Sequence, residues 1–491
     1  MVILRKKWIL CLCCLLMLGL SFANPVLAVE IRNKNEVLKQ IDEYVVERMK
    51  VNNIKGASLA IANNDHVFYT KGYGGVSEAS AITSTTPLPI ASLSKSFTAL
   101  AVLQLVEKGE VDLDAPYCSY FSDSSNFSPT DERINQITVR QLLHQTSGLT
   151  DKVNPDMTRF PQYEALKETN ISLNKVKLSH NPGEAYSYHN PNYQYLALLV
   201  EQISGQSFSS YLDKNIFKPL RMNHTFNVSS TAQINENPSI PSGHYIAFGH
   251  PVNRAEPSWF IDGPAGIIST AEDMAKWMLA QYNGHFLTPE LMQQYHAAGQ
   301  VGPYGMGWIA GEDERWGRTI SHGGIFWTYK AEEIIFVDQQ LGITMLFTAG
   351  LNAFVDYTAI VDGIAQIMMG EKAESTTFNS RNMEIVMIIL IVATALSGIY
   401  TCIRMGRKTK EITTVKWITA SLLNLLPILI LLFLSPIATF IGGGRVVPLI
   451  GLWMAMPSLI TFLVVVSLVN LAKLVYRIHL YVQIRSKSQP M

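Results

Sequence analysis

The chain has 491 residues, 48% of them hydrophobic, and Lys+Arg 39 balance Asp+Glu 39. That length exceeds one ordinary domain, and a net charge of zero leaves no electrostatic footprint for nucleic acid. Of the cysteines, Cys11, Cys13, Cys14 and Cys402 fall in apolar runs and only Cys118 lies between them. An internal disulfide framework is thereby excluded for the middle of the chain. No Cys/His spacing suits zinc, so neither a metal nor a cofactor is expected, and Cys118 reads as a buried structural thiol.

The N-terminus carries Arg5-Lys6-Lys7, an apolar run from Trp8 to Phe22 and the small-residue site Val26-Leu27-Ala28. That order predicts a secretory signal over residues 1–28. Residues 29–375 are globular in composition. Val37, Ile41, Val45 and Met49 are spaced for a helix over Glu36–Met49, and Ala57–Ala62 with His66–Lys71 predict a hairpin turning at Asn63-Asn64-Asp65. Helical patterns fill the middle, and strand-like runs return at Arg318–Ser321, Glu333–Val337 and Gly342–Thr348. The predicted fold is α/β (α+β): one antiparallel sheet built from both termini, flanked by helices, with a helical lobe beside it and a cleft between.

After a linker over residues 376–384, three apolar runs follow, at 385–403, 417–441 and 448–471. Each is long enough to cross a hydrocarbon core of about 30 Å as a helix. Arg404, Arg407, Lys408, Lys410 and Lys416 crowd the 404–416 loop, and Lys473, Arg477, Arg485 and Lys487 the 472–491 tail. The 442–447 loop, by contrast, holds one charge, Arg445, behind Gly442-Gly443-Gly444. The positive-inside bias then puts the basic segments in the cytoplasm and the 29–375 domain outside it. The expectation is a multi-pass cell-membrane protein with the lipid bilayer as a partner. No charged residue interrupts the spans, so passive anchoring is the reading of the helices.

Three segments carry chemistry. In Ser92-Leu93-Ser94-Lys95, three-residue spacing on a helix brings the amine to the hydroxyl, and a desolvated lysine can take a serine proton. A second match, Ser172-Leu173-Asn174-Lys175, precedes no apolar helix and reads as a solvated loop or helix edge. In Tyr188-His189-Asn190, a tyrosine near an ammonium can act as a base, and Asn190 can bridge the lysine and a substrate amide. In Ser321-His322-Gly323-Gly324, the glycines let a substrate lie against a strand edge, and a backbone N–H just beyond them can form an oxyanion hole with that of Ser92.

In this order the three boxes resemble the serine beta-lactamase and penicillin-binding-protein superfamily, most of all its class C and DD-peptidase branch, with His-x-Gly in place of Lys-Thr-Gly. Leu142–Leu149, Gly266–Asp273 and Tyr304–Trp308 also match that family's wording. The resemblance implies a beta-lactamase-like fold and an acyl-enzyme mechanism. Ser92 is then the nucleophile, Lys95 and Tyr188 shuttle its proton, and Asn190, His322, Gly323 and Gly324 position the substrate. The N–H groups of Ser92 and Ile325 form the oxyanion hole. One departure is the bulky Ile325-Phe326-Trp327-Thr328-Tyr329 after the third box, which is expected to border the substrate. Signal, domain and three helices together are similar to the prodrug-activating peptidases of nonribosomal-peptide pathways, although D-asparagine specificity is not carried over.

The expected function is a membrane-anchored, extracytoplasmic serine peptidase or amidase on D-amino-acid-containing peptides, either cell-wall peptide or an acylated prodrug. The alternatives are an esterase on envelope acyl or D-alanyl esters, and an acylatable sensor without turnover. If the helices only anchor, removal of everything after Glu384 leaves hydrolysis of soluble substrates intact.

Overall fold

A computed structural model of the protein describes residues 34–75, 81–121, 127–284, 286–374, 379–407 and 414–487. The expected signal segment and residues 408–413 of the basic loop lie outside these. Strand β1 (Gly56–Asn63) is buried at every position. Its side chains divide by parity, as the two-residue period of a strand requires. Leu59 and Ile61 join one apolar cluster, whereas Ala60 and Ala62 join another. A strand with two apolar faces belongs inside a three-layer structure.

The sheet has the order β2-β1-β6-β5-β4-β3, with β2 His66–Gly74, β3 Ile309–Asp313, β4 Gly317–Ile325, β5 Lys330–Phe336 and β6 Leu341–Phe347. Every neighbouring pair is antiparallel. β1 pairs with β6, Ala57 opposite Phe347, so strands from both ends of the domain meet inside one sheet, as the sequence predicts. The β1–β2 hairpin turns at Asn64, whose φ of 56° suits asparagine's tolerance of the left-handed region. β3 carries no apolar alternation and was not foreseen.

The main helices of this domain are α1 (Lys34–Val51), α2 (Ser94–Glu107), α3 (Pro191–Ser204), α4 (Ala271–Asn283) and α5 (Tyr357–Met368). Val37, Ile41 and Val45 of α1 pack with Ile360 and Ile364 of α5 over the Leu59 face. Trp277 and Met278 of α4 cover the Ala60 face, and the Trp277 ring stacks on Phe97 of α2 with centroids 3.6 Å apart. α2 is buried almost all round, which marks it as the central helix of the helical lobe. Cys118, expected buried, is half-exposed, its Sγ 3.4 Å from the Asn135 carbonyl.

The C-terminal segment comprises α6 (Ser380–Arg407), α7 (Thr414–Leu432), α8 (Leu434–Ile441), α9 (Leu449–Ala455) and α10 (Pro457–Lys487). Among the described residues, two stretches are long and apolar enough to cross a membrane, Ser380–Arg404 in α6 and Pro457–His479 in α10. α7 and α8 are bent by 64°, so the three expected spans are reached only if that pair counts as one. The third apolar run is also offset from its expected start. Met456 precedes a proline, which disfavours helical backbone, and it breaks the run at φ −150°, ψ 56°. The piece before the break, α9, packs against the globular domain: Met454 and Ala455 are buried with Tyr245 and Trp327.

Candidate active site

Ser92 lies in a 3-10 turn, Ala91–Leu93, that runs directly into α2. Ala91 before it has φ 47°, a left-handed backbone that a residue with a Cβ adopts at a cost, which presents the next side chain at a sharp turn. Lys95, one turn along, is 0% exposed, and its Nζ donates to Ser92 Oγ and to the Pro264 carbonyl, both at 3.1 Å. Tyr188 completes the group. Its ring centroid is 4.9 Å from Lys95 Nζ, and its hydroxyl is within hydrogen-bonding reach of Ser92. The segment bearing Tyr188 is held by Gln145, whose Oε1 accepts from the His189 backbone N–H at 3.0 Å and from Asn192 Nδ2 at 2.6 Å.

β4 forms the opposite wall. A Cβ on Gly324 would lie 2.2 Å from the Ile90 carbonyl, so only glycine lets this strand approach the nucleophile turn so closely. Gly307, at φ +82°, does the same on another side, where a Cβ would lie 2.7 Å from the Lys95 backbone. Ile325 ends the strand at the cleft, 42% exposed. The bulky residues after it do not border the cleft as expected. Phe326 turns inward onto Trp259, ring centroids 5.8 Å apart, and Trp327 lies beneath α9, where a Cβ on Gly451 would meet its ring at 2.4 Å. The second match, Ser172–Lys175, begins in the last two residues of helix 167–173 and runs past its end, with Ser172 Oγ donating to the Thr169 carbonyl and Lys175 exposed.

The Beta-lactamase family model matches residues 41–364. The chain belongs to the beta-lactamase family. It is a serine hydrolase of the beta-lactamase and penicillin-binding-protein superfamily, with the family's antiparallel sheet and flanking helices. Protein flp of Staphylococcus aureus (strain MW2) is 28% identical over 433 residues, which cover 82% of this chain and 84% of that protein. Penicillin-binding protein 4* of Bacillus subtilis (strain 168) is 25% identical over 373 residues, 69% of this chain and 77% of that one. Among solved structures, the octameric penicillin-binding protein homologue from Pyrococcus abyssi shares the fold with a TM-score of 0.58 at 23% identity, covering 69% of this chain and 78% of that one.

Within this beta-lactamase-family cleft, burial sets the protonation states. Burial, and after it the Arg445 charge, hold the Lys95 amine well below its ordinary value, against the pull of Asp156. Burial raises the Tyr188 phenol, against its contact with Ser92 and the nearby Arg445. Burial thus works against the ammonium and the phenolate alike. Burial, and then Lys95, depress His322 to about 3. Its Nδ1 is 2.8 Å from the Gly323 carbonyl and must donate there, so Nε2 accepts from the Tyr304 hydroxyl at 3.1 Å. His322 therefore offers the cleft no cation.

Asn190 points elsewhere than expected. Its Nδ2 donates to Asp156 Oδ2 at 2.8 Å, and among the described residues its buried Oδ1 has no partner. Asp156 Oδ2 gives the amide donor an oxygen acceptor, whereas Lys95 Nζ is already engaged with Ser92 Oγ and the Pro264 carbonyl. Asp156, Asp151, His189, Tyr304 and Arg445 were all missed as site residues. Asp151 and Asp156 lie just beyond the Leu142–Leu149 run, and the local signal for them was weak. Arg445 did carry a signal, as the only charge in a glycine-rich loop between apolar runs. No group of three or more His, Cys, Asp or Glu among the described residues could hold a metal ion.

Proposed function

We propose that the protein hydrolyses amide bonds in D-amino-acid-containing peptides, either cell-wall peptide or an acylated prodrug, through an acyl-enzyme on Ser92. The observation that carries this reading is the wholly buried Lys95 with its Nζ 3.1 Å from Ser92 Oγ. As Ser92 Oγ attacks the substrate carbonyl carbon, its proton passes to the Lys95 amine, whose charged form burial disfavours. Collapse of the tetrahedral adduct breaks the C–N bond, and the leaving amine takes the proton back through Tyr188. The backbone N–H groups of Ser92 and Ile325 receive the oxyanion. Asn190, whose buried Oδ1 has no partner among the described residues, is assigned to the substrate amide N–H, and the β4 edge at Gly323 and Gly324, beyond the β3 pairing that ends at Ser321, is assigned to the substrate backbone.

We place the catalytic domain outside the cytoplasm, held there by the C-terminal helices. The basic 404–416 loop and tail favour that orientation, and the contact of α9 and Arg445 with the hydrolase domain supports a common side for the domain and the 442–448 loop. The test is intact-mass spectrometry of the full chain mixed with an acylated D-Asn amide, a D-Ala-D-Ala peptide and a simple ester. An adduct or product with wild type and none with Ser92→Ala is expected, the peptides preferred over the ester. Ester turnover alone would replace peptidase by esterase, and no adduct from folded protein would overturn the acyl-enzyme reading.

A further inference from the structure

The loop between α8 and α9 does not stay with the helices. It lays Arg445 over the Tyr188 ring, with Cζ 5.4 Å from the centroid. Arg445 Nε lies 3.3 Å from Asp151 Oδ2, Nη2 lies 3.1 Å from Asp156 Oδ2, and the Val446 backbone N–H donates to Asp151 Oδ2 at 3.1 Å. Both carboxylates are buried in the hydrolase domain. Asp151 also meets His189 Nδ1 at 2.8 Å, and Asp156 accepts from Asn190 Nδ2 and Trp259 Nε1, each at 2.8 Å. The domain therefore holds a pair of acids beside its own reacting lysine, and the cation that answers them comes from the C-terminal segment. The side chain is only 16% exposed, which fixes it in the cleft wall.

We infer that Arg445 is a positioning residue of the hydrolase reaction, delivered by the helical segment, which neutralises the Asp151–Asp156 pair so that Lys95 can accept the Ser92 proton. The inference rests on the acyl-enzyme reading above and deepens it. A buried charge pair broken on one side leaves the other charge uncompensated. Here the orphaned charge is negative and lies in the surroundings of a base that must be neutral to work. The titratable or charged groups around Lys95 are Tyr188 and Tyr193, whose ring centroids are 4.9 and 5.7 Å from Nζ, together with His322, Asp156 and Arg445. Tyr188 and His322 are held neutral by burial, as is Tyr193, whose phenol burial raises. Asp156 and Arg445 are left to set the local field. Asp156 favours the ammonium and Arg445 opposes it. Arg445 also braces Asp156, which orients Asn190, so one guanidinium touches both the charge and the geometry of the site.

The sign of the effect follows. Loss of Arg445 raises the Lys95 amine toward its ordinary value, so the acid limb of turnover moves to higher pH. Loss of the Asp156 charge moves it the other way. The experiment measures kcat/KM against pH for the full-length chain in lipid nanodiscs. The probe is a chromogenic acetyl ester, whose turnover depends on Ser92 and Lys95 and not on amide specificity. Arg445→Gln is expected to shift the acid limb alkaline by about one unit, the size of a neighbouring-charge effect. Turnover on that limb falls about tenfold and recovers at alkaline pH. Asp156→Asn is expected to shift the limb toward acid, the double variant to bring it back toward wild type, and Arg445→Lys to retain most of the wild-type profile. An Arg445→Gln enzyme that loses the same factor at every pH, or none, overturns the inference. Should that variant not fold, an unshifted limb in Asp156→Asn overturns it. Wild type without Ser92-dependent turnover overturns the acyl-enzyme reading itself, so the two failures are distinct.

Discussion

His322 stands in the third box, where a charged ring could pair with a substrate carboxylate, yet its surroundings make it a neutral hydrogen-bonding link. Burial and the neighbouring lysine depress it to about 3, and both ring nitrogens are engaged, one by the Gly323 carbonyl and one by the Tyr304 hydroxyl. A neutral ring cannot supply ion pairing. His322→Gln keeps a donor and an acceptor without charge, so its cost should stay near that of one neutral hydrogen bond, less than about tenfold in kcat/KM. The factor should be equal for a substrate ending in a free carboxylate and for its amide. Parallel kinetics on the two substrates checks this, and a loss confined to the carboxylate would show that His322 works as a cation. Lys95 and Tyr188 show the same force acting in opposite directions: burial lowers the amine and raises the phenol, in each case against the charged form.

At the scale of elements, the site depends on how near β4 comes to the turn before α2. Gly324→Ala would put a methyl 2.2 Å from the Ile90 carbonyl and 3.1 Å from the Ala331 side chain. Neither is the free end of a flexible side chain, so the strand must move. Overpacking of this kind costs about 1–3 kcal/mol, and the displaced strand also carries the Ile325 N–H. Acylation should therefore fall by more than about tenfold while the protein still folds, measured as acylation rate alongside the thermal midpoint. A variant that is destabilised yet acylates at the wild-type rate would detach the strand from the chemistry. What was legible in the sequence follows from the range of the contacts. Ser92 and Lys95 share one turn of backbone, so their spacing alone brings them together. The parity of β1 and the helical spacing of α1 are equally local. Phe326 and Trp327 were misplaced because nothing local says that one faces Trp259 and the other α9. The start of α10 was misread because hydropathy does not register Pro457 as a break.

The whole molecule is two parts joined through its active site. The buried residues of both main apolar clusters of the hydrolase domain end at Met369, with Ala373 packed at the edge of one, so that domain has a core of its own. The C-terminal segment nevertheless reaches it at several points: the Ser380 N–H donates to Asn52 Oδ1 at 3.1 Å, α9 covers Trp327, the Ala353 N–H donates to the Ala455 carbonyl at 2.9 Å, the Val446 N–H donates to Asp151, and Arg445 meets Asp151 and Asp156, the latter across 289 positions of sequence. No periodicity encodes a contact of that span, and a lone arginine among glycines reads as an ordinary outer loop. Passive anchoring predicts that a chain ending at Glu384 hydrolyses soluble substrates as well as the full protein. The geometry predicts otherwise. Such a truncation should fold, judged by far-UV circular dichroism and a cooperative melt, because its core is intact. It should also behave as Arg445→Gln does, losing about tenfold in ester turnover on the acid limb and recovering at alkaline pH, since Arg445 supplies the only cation this segment gives to the Asp151–Asp156 pair among the described residues. Exposure of the Trp327 surface should lower its melting temperature as well. A truncation that matches the full chain at every pH would reduce the helices to an anchor; one that matches Arg445→Gln would make them part of the enzyme.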